Sequence, residues 1–212
     1  MPTLHALKYA TKKKNLHLRV AKGHFATSNC HSNYYIDVVA QKARLSEARA
    51  VADELASYFY ATTLVDTILC LDGTEVIGAC LASRLSKANL VNLNSHKSIY
   101  VITPETTNGQ LLFRDNIVPM IQGKHVMVLA VSVASGKTVE AAIEAVNYYG
   151  GMVTGVSSIF STAKQCRNLP VYSIFDPNDL PDYKCFPSHE CPMCKDGQKI
   201  DALVNCHGFS KL

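Results

Sequence analysis

The most chemically suggestive stretch of this 212-residue chain runs Val126-Met127-Val128-Leu129-Ala130-Val131-Ser132-Val133-Ala134-Ser135-Gly136-Lys137-Thr138. A hydrophobic run enters a loop of small residues and then a helical pattern. Successive backbone N–H groups at such a helix start form a cradle for an anion. Gly136 permits close backbone approach, and Ser135 and Thr138 add hydroxyl donors. Lys137 is a cation suited to a phosphate. On local features alone the segment reads equally as a strand-to-helix turn with an ordinary cap.

Ser-Gly-Lys-Thr also resembles the end of a nucleoside-triphosphatase P-loop, but that motif needs an earlier glycine where this chain has Val131, which sets it aside. Tyr34 and Tyr35 either stack on a ring or fill a strand face. His31 reads as a surface or internally satisfied histidine rather than a ligand contact. Asp37 and Asp66 read as turn or capping residues. Asp72 and Glu75 either hold a metal-bound phosphate or cap a helix start. Of eight cysteines, Cys30, Cys70, Cys80 and Cys166 are dispersed, and Cys70 and Cys80 sit in apolar contexts as small core residues. Cys185, Cys191, Cys194 and Cys206 crowd the last 28 residues, with His189 and His207 nearby. The Cys-x2-Cys pair offers two thiolates at bite distance, and Cys185 and Cys206 would complete four zinc ligands. Free, reduced thiols are the other reading.

These residues need a scaffold. Leu45, Ala48, Ala52, Leu55 and Phe59 recur three and four apart, which predicts a helix over 46–61 with Ser46 as N-cap. Alternating Leu16, Leu18 and Val20 suit a strand, preceded by a short helix. Short strands at Thr67–Leu71, Ser98–Thr103, His125–Val133, Met152–Phe160 and Val171–Phe175 alternate with helices near 75–87 and 138–149. A turn spans 72–74, and a loop from Pro104 to about Gly123 carries the turn signal Asn108-Gly109. The pattern predicts an α/β fold with a parallel, doubly wound sheet, whose ligands bind beyond the carboxyl ends of its strands. A domain over 1–180 is expected, with a hood from about 1–40 and a Cys-rich tail over 181–212.

With 48% hydrophobic and 18% charged residues the chain affords a sizeable core and excludes wholesale disorder. The net charge of +4 is scattered. The run Lys12–Lys14 reads as a solvated face, so no nucleic-acid partner is expected. No stretch approaches the ~20 apolar residues that span a bilayer, and Met1–His5 lacks a signal-peptide layout. A cytoplasmic protein without a membrane partner is expected.

The chain resembles the phosphoribosyltransferase family, and within it orotate phosphoribosyltransferase. Ala134–Thr138 matches the family's 5′-phosphate loop. Ser28-Asn29-Cys30-His31-Ser32-Asn33-Tyr34-Tyr35-Ile36-Asp37 is similar to its Ser-Gly-x-x-Ser-x-Tyr-Tyr-x-Asp stretch, preceded by Gly23-His24-Phe25. That match implies a base pocket at Phe25, Tyr34 and Tyr35. Leu69–Ala82, with Asp72-Gly73-Thr74, resembles the pyrophosphate-contacting loop, and Cys191-Pro192-Met193-Cys194 with Gly197 resembles the tail of one branch. The resemblance implies a sheet of phosphoribosyltransferase type, Mg2+ as cofactor if the protein is active, and a homodimer.

The departures bear on function. The family's acidic pair binds the ribose hydroxyls and favours the charge developing at the anomeric carbon. Here the pair is Ala130-Val131. The cationic start of the family's mobile loop is replaced by Ile102-Thr103-Pro104-Glu105-Thr106-Thr107-Asn108-Gly109. Losing one donor to a leaving group typically costs ~10²–10³ in rate. The expectation is a catalytically impaired binder of a nucleotide or other phosphate ester. The rivals are an active orotate phosphoribosyltransferase of pyrimidine synthesis and a structural subunit for an active homologue.

Overall fold

The computed structural model describes residues 7–10, 16–28, 30–87, 90–95 and 98–212. The Lys12–Lys14 run, Met1–His5 and Asn29 lie outside the described residues. The central sheet has six strands in the order Gln165–Cys166, Leu169–Phe175, Met152–Ser161, His125–Val133, Thr67–Cys70, Tyr100–Ile102. All neighbours are parallel except the short first strand.

The His125–Val133 strand sits between two cores, which is why it is apolar without a break from Val126 to Val131. Met127, Leu129 and Val131 pack with the helices Leu45–Phe59 and Glu75–Leu85. Val126, Val128 and Ala130 pack with Val139, Ala142 and Ile143 of the helix Lys137–Tyr148 on the other face. A doubly wound α/β fold results, as the alternation of strands and helices predicts.

The first long helix buries Ala48, Val51, Ala52, Leu55, Ala56 and Phe59, the expected stripe. Ser46 is not its cap. The helix starts at Leu45 and Arg44 holds the capping position in extended conformation. The reason is an unforeseen short helix, Val39–Ala43, which leaves Arg44 as the single residue between two helices.

A second sheet forms the hood, in the order Cys185–Phe186, His31–Asp37, His17–Ala26, Ala202–Asn205, Gly208–Lys211, with Leu7–Ala10 also paired to His17–Ala26. Among the described residues up to Tyr35 there is no helix. The tail is thus woven into the hood, and Ala202 pairs with Phe25 in parallel register. The segment after Pro104 contains a hairpin, Glu105–Thr107 with Gln110–Leu112. Asn108 and Gly109 both have positive φ, 51° and 79°, as a tight two-residue hairpin turn requires. Arg114 forks onto Glu105 through Nε and Nη2 at 2.7 and 2.6 Å. No described helix is long and apolar enough to cross a membrane.

Candidate functional site

The loop Ala134–Gly136 leaves the carboxyl end of the middle strand and enters the helix Lys137–Tyr148. Gly136 caps that helix with φ of 77°. A Cβ there would meet nothing nearer than 3.7 Å, so backbone conformation and not space calls for glycine. The first-turn N–H groups have no carbonyl one turn back and point outward. Thr162 donates its hydroxyl to the Ala134 carbonyl at 2.9 Å, which fixes the loop's entry.

A cavity of about 320 Å³ opens over this loop. Ala134, Ser135, Gly136 and Thr138 line one end, and Thr27, Ser28, Cys30, Ser32, Tyr34 and Tyr35 of the hood line the other. Phe160, Tyr183 and Val204–Cys206 complete the wall. Two expected contributors lie elsewhere. Phe25 is fully buried in the hood core, covered by Tyr35 and Ala202, and so does not reach the cavity. Lys137 is exposed at the helix start and does not line the cavity.

Tyr34 and Tyr35, adjacent on a strand, face opposite sides of the hood sheet. Tyr34 donates its hydroxyl to the Pro181 carbonyl at 2.6 Å and stacks on Tyr183 at 6.2 Å between centroids. Tyr35 meets Phe209 edge-on, and burial pushes its phenol up to about 12. Both therefore serve packing and the cavity wall together. Tyr183, Phe160 and the 204–206 strand end were not legible as site residues, since nothing local in their sequence marks them.

A second cavity, about 310 Å³, adjoins the first and shares Asp72, Thr138 and Cys206 with it. Gly73, Glu75, Pro104, Thr106 and His207 also line it. Thr74 instead faces inward, donating its hydroxyl to the carbonyls of Leu71 and Leu129. Lys42 places its ammonium on the carbonyls of Asp72 and Cys206 at 2.7 and 2.6 Å, joining the turn at 72 to the tail. Asp72, with φ of 58°, shares the cavity wall with Val131 and Cys206. A carboxylate thus stands against the strand where the acidic pair is missing. Asp37 caps the Val39 N–H, and Asp66 accepts from the His125 backbone and ring at 2.9 and 2.8 Å, so both are structural.

Burial raises the Asp72 carboxyl above its ordinary value, outweighing the opposing influence of Lys42, Val131, His207 and Cys206. A raised folded pKa gives stability that is complete below the unfolded pKa and is lost as pH rises through the folded one. Asp72→Asn keeps the side chain's shape and tolerates positive φ. From about pH 4 to pH 7 its stability is expected to improve relative to wild type, read from thermal melts at both pH values. No such relative gain would refute the burial argument.

The expected four-cysteine cluster does not form. Cys185 donates to Cys30, Sγ to Sγ at 2.7 Å, which pulls the Cys30 thiol down to about 6, and Cys206 lies beside Asp72 and Lys42. Cys191 and Cys194 instead meet His24 and His31 of the hood hairpin. The sequence spacing could not show this, because the two histidines lie more than 160 residues upstream.

An open parallel sheet, a small-residue loop at the end of its middle strand and a hood above that loop define the phosphoribosyltransferase fold. Orotate phosphoribosyltransferase from Mycobacterium tuberculosis, solved with 5-phospho-α-D-ribosyl 1-diphosphate, matches with a TM-score of 0.53 and 14% identity, covering 69% of this chain and 83% of that one. UMP synthase from Leishmania donovani matches with a TM-score of 0.55 and 18% identity, covering 76% of this chain and 34% of that one. In sequence the chain is similar to orotate phosphoribosyltransferase. The protein of that name from Chlorobium phaeobacteroides is 25% identical over 85% of this chain and 86% of its own length. That from Chlorobaculum parvum is 24% identical over 85% and 86%. No family model matches the chain.

Proposed function

We propose that this chain is an orotate-phosphoribosyltransferase-like protein that binds a nucleotide or another phosphate ester and transfers phosphoribosyl groups poorly. The observation that carries the reading is the single cavity joining the Ala134–Thr138 loop to the aromatic hood strand. It suits a phosphate at one end and a ring at the other. Ala130 and Val131 supply no carboxylate to a ribose. The adjoining cavity, where a leaving pyrophosphate would sit, is lined by Asp72 and Glu75 and, among the described residues, by no Lys or Arg. Arg114, beside the hairpin, is engaged by Glu105. Lys42 stands behind this wall with its ammonium taken up by the Asp72 and Cys206 carbonyls, so the surroundings give a departing polyanion little stabilisation.

One observation favours the rival reading of an active orotate phosphoribosyltransferase, namely that Asp72 lines the same cavity wall as Val131. Asp72 and Glu75 together are a donor set suited to Mg2+, a hard cation that would neutralise a pyrophosphate there. Thermal shift separates the ligand question from the catalytic one. At a hundredfold excess over Kd a ligand stabilises by about 2.7 kcal/mol, or roughly 5–10 °C for a domain of this size. A nucleoside monophosphate or ribose 5-phosphate is expected to give such a rise, and the absence of any rise with phosphate esters would remove the binding reading. Orotate consumption with phosphoribosyl pyrophosphate and Mg2+ is expected to stay far below ~1 s⁻¹, and turnover in the usual ~1–10³ s⁻¹ range would establish the rival.

A further inference from the structure

We propose that His24, His31, Cys191 and Cys194 form a structural zinc site that fastens the tail to the hood. It stands apart from the phosphate site and does not depend on how that site is read. The four ligand atoms lie within 4.8 Å of one another. His24 Nε2 is 3.1 Å from His31 Nδ1 and 3.6 Å from each sulfur, and Cys194 Sγ is 3.3 Å from His31 Nδ1. A tetrahedral zinc with bonds of about 2.3 Å to sulfur and 2.0–2.1 Å to nitrogen separates its ligand atoms by roughly 3.3–3.8 Å. Three of these four separations fall in that range, and the His24–His31 pair at 3.1 Å is slightly shorter.

The protonation pattern points the same way. His24 Nδ1 lies 3.0 Å from the Gln198 carbonyl, which can accept and cannot donate. The proton is therefore on Nδ1, and the Nε2 lone pair faces the other three ligands. A carbonyl holding the far nitrogen of a ligating histidine is the usual support around a metal. His24 is fully buried and Cys191 is 1% exposed. Two thiolates and two neutral imidazoles balance a dication, so the loaded site is neutral and compatible with the burial of His24 and Cys191, while Cys194 is exposed. Binding releases the two thiol protons. Thiolate with imidazole in a four-coordinate shell selects zinc over magnesium or calcium, and four protein ligands leave no open position for catalysis.

The tail is shaped for the role. The N–H groups of Lys195, Gly197 and Gln198 fold back on the carbonyls of Cys191, Cys194 and Met193 to make a compact knuckle. Asp201 then accepts the His24 N–H at 2.7 Å and returns its own N–H to the His24 carbonyl. His31 lies between Cys30 and Ser32, which line the ligand cavity, so the metal would brace that wall from behind.

Elemental analysis of the full chain purified after growth with added zinc is expected to give one zinc per chain. Chelation should lower Tm, and one equivalent of zinc should restore it. Cys191→Ser should lose the metal, while Cys185→Ser and Cys206→Ser should keep it. Should Cys191→Ser fail to fold, cobalt substitution of the wild-type chain decides, with an expected tetrahedral spectrum whose thiolate charge-transfer intensity is that of two sulfurs. Metal-free protein that takes up no zinc, a Cys191–Cys194 disulfide in its place, or a spectrum of four thiolates would each overturn the site.

Discussion

Ser135→Glu is expected to weaken binding of inorganic phosphate and phosphate esters by about 10²-fold or more. Ser135 sits between the end of the middle strand and the Gly136 cap, at the mouth of the cavity. A tethered carboxylate there competes for the N–H groups of the helix start and repels an incoming dianion. The position is exposed, so water screens the repulsion and the estimate rests on lost hydrogen bonds. Each charge-assisted bond contributes about 1.5–3 kcal/mol, and two of them account for the loss. Ser135→Ala removes one hydroxyl donor and keeps the backbone cradle, so it should lose no more than about tenfold. Calorimetric titration with phosphate and a nucleoside monophosphate reads both variants. Equal affinity in Ser135→Glu and wild type would mean that the phosphate is held elsewhere.

Ala130→Asp is expected to destabilise the protein by about 3 kcal/mol, or roughly 6–12 °C in Tm, without creating a transferase. Ala130 is 1% exposed and faces the apolar layer of Val128, Val139 and Ala142. Its cross-strand neighbour Ser158 carries a buried hydroxyl without a partner, which can meet one carboxylate lone pair and no more. Val131→Asp faces the cavity and should cost less, but it would share its surroundings with the Asp72 carboxyl group on the same wall. The missing pair is therefore not restored by rewriting two letters, since the apolar layer around Ala130 offers a carboxylate no more than one hydroxyl. An unchanged melting temperature for Ala130→Asp would contradict this account.

Much of the scaffold could be read from residue types, because its signals are local. His125–Val133 is apolar at both parities, and the structure has that strand with the same bounds, covered on both faces. Asn108-Gly109 signalled a turn, although the hairpin around it needed Arg114 and Glu105 to be seen facing each other. The hood was less legible. Strands such as Ala202–Asn205 and Cys185–Phe186 are too short to carry a pattern, and their partners lie at the other end of the chain. The metal-type cluster failed for the same reason. Spacing within 185–206 groups cysteines by proximity along the chain, whereas Cys185 is drawn off to Cys30 and two histidines of a distant hairpin take the vacant positions. Phe25 was misread because what covers it comes from elsewhere in the chain, with Ala202 of the tail paired to it and the Tyr35 ring packed against it.

The pairing of Ala202 with Phe25, and of Asp201 with His24 across 177 positions, also dictates an order of events during synthesis. The hood hairpin is made long before the strand it pairs with, and contacts of such long range close slowly. The wall formed by Val204–Cys206 arrives with that strand. A folding chain can thus complete its central sheet while its ligand chamber still gapes.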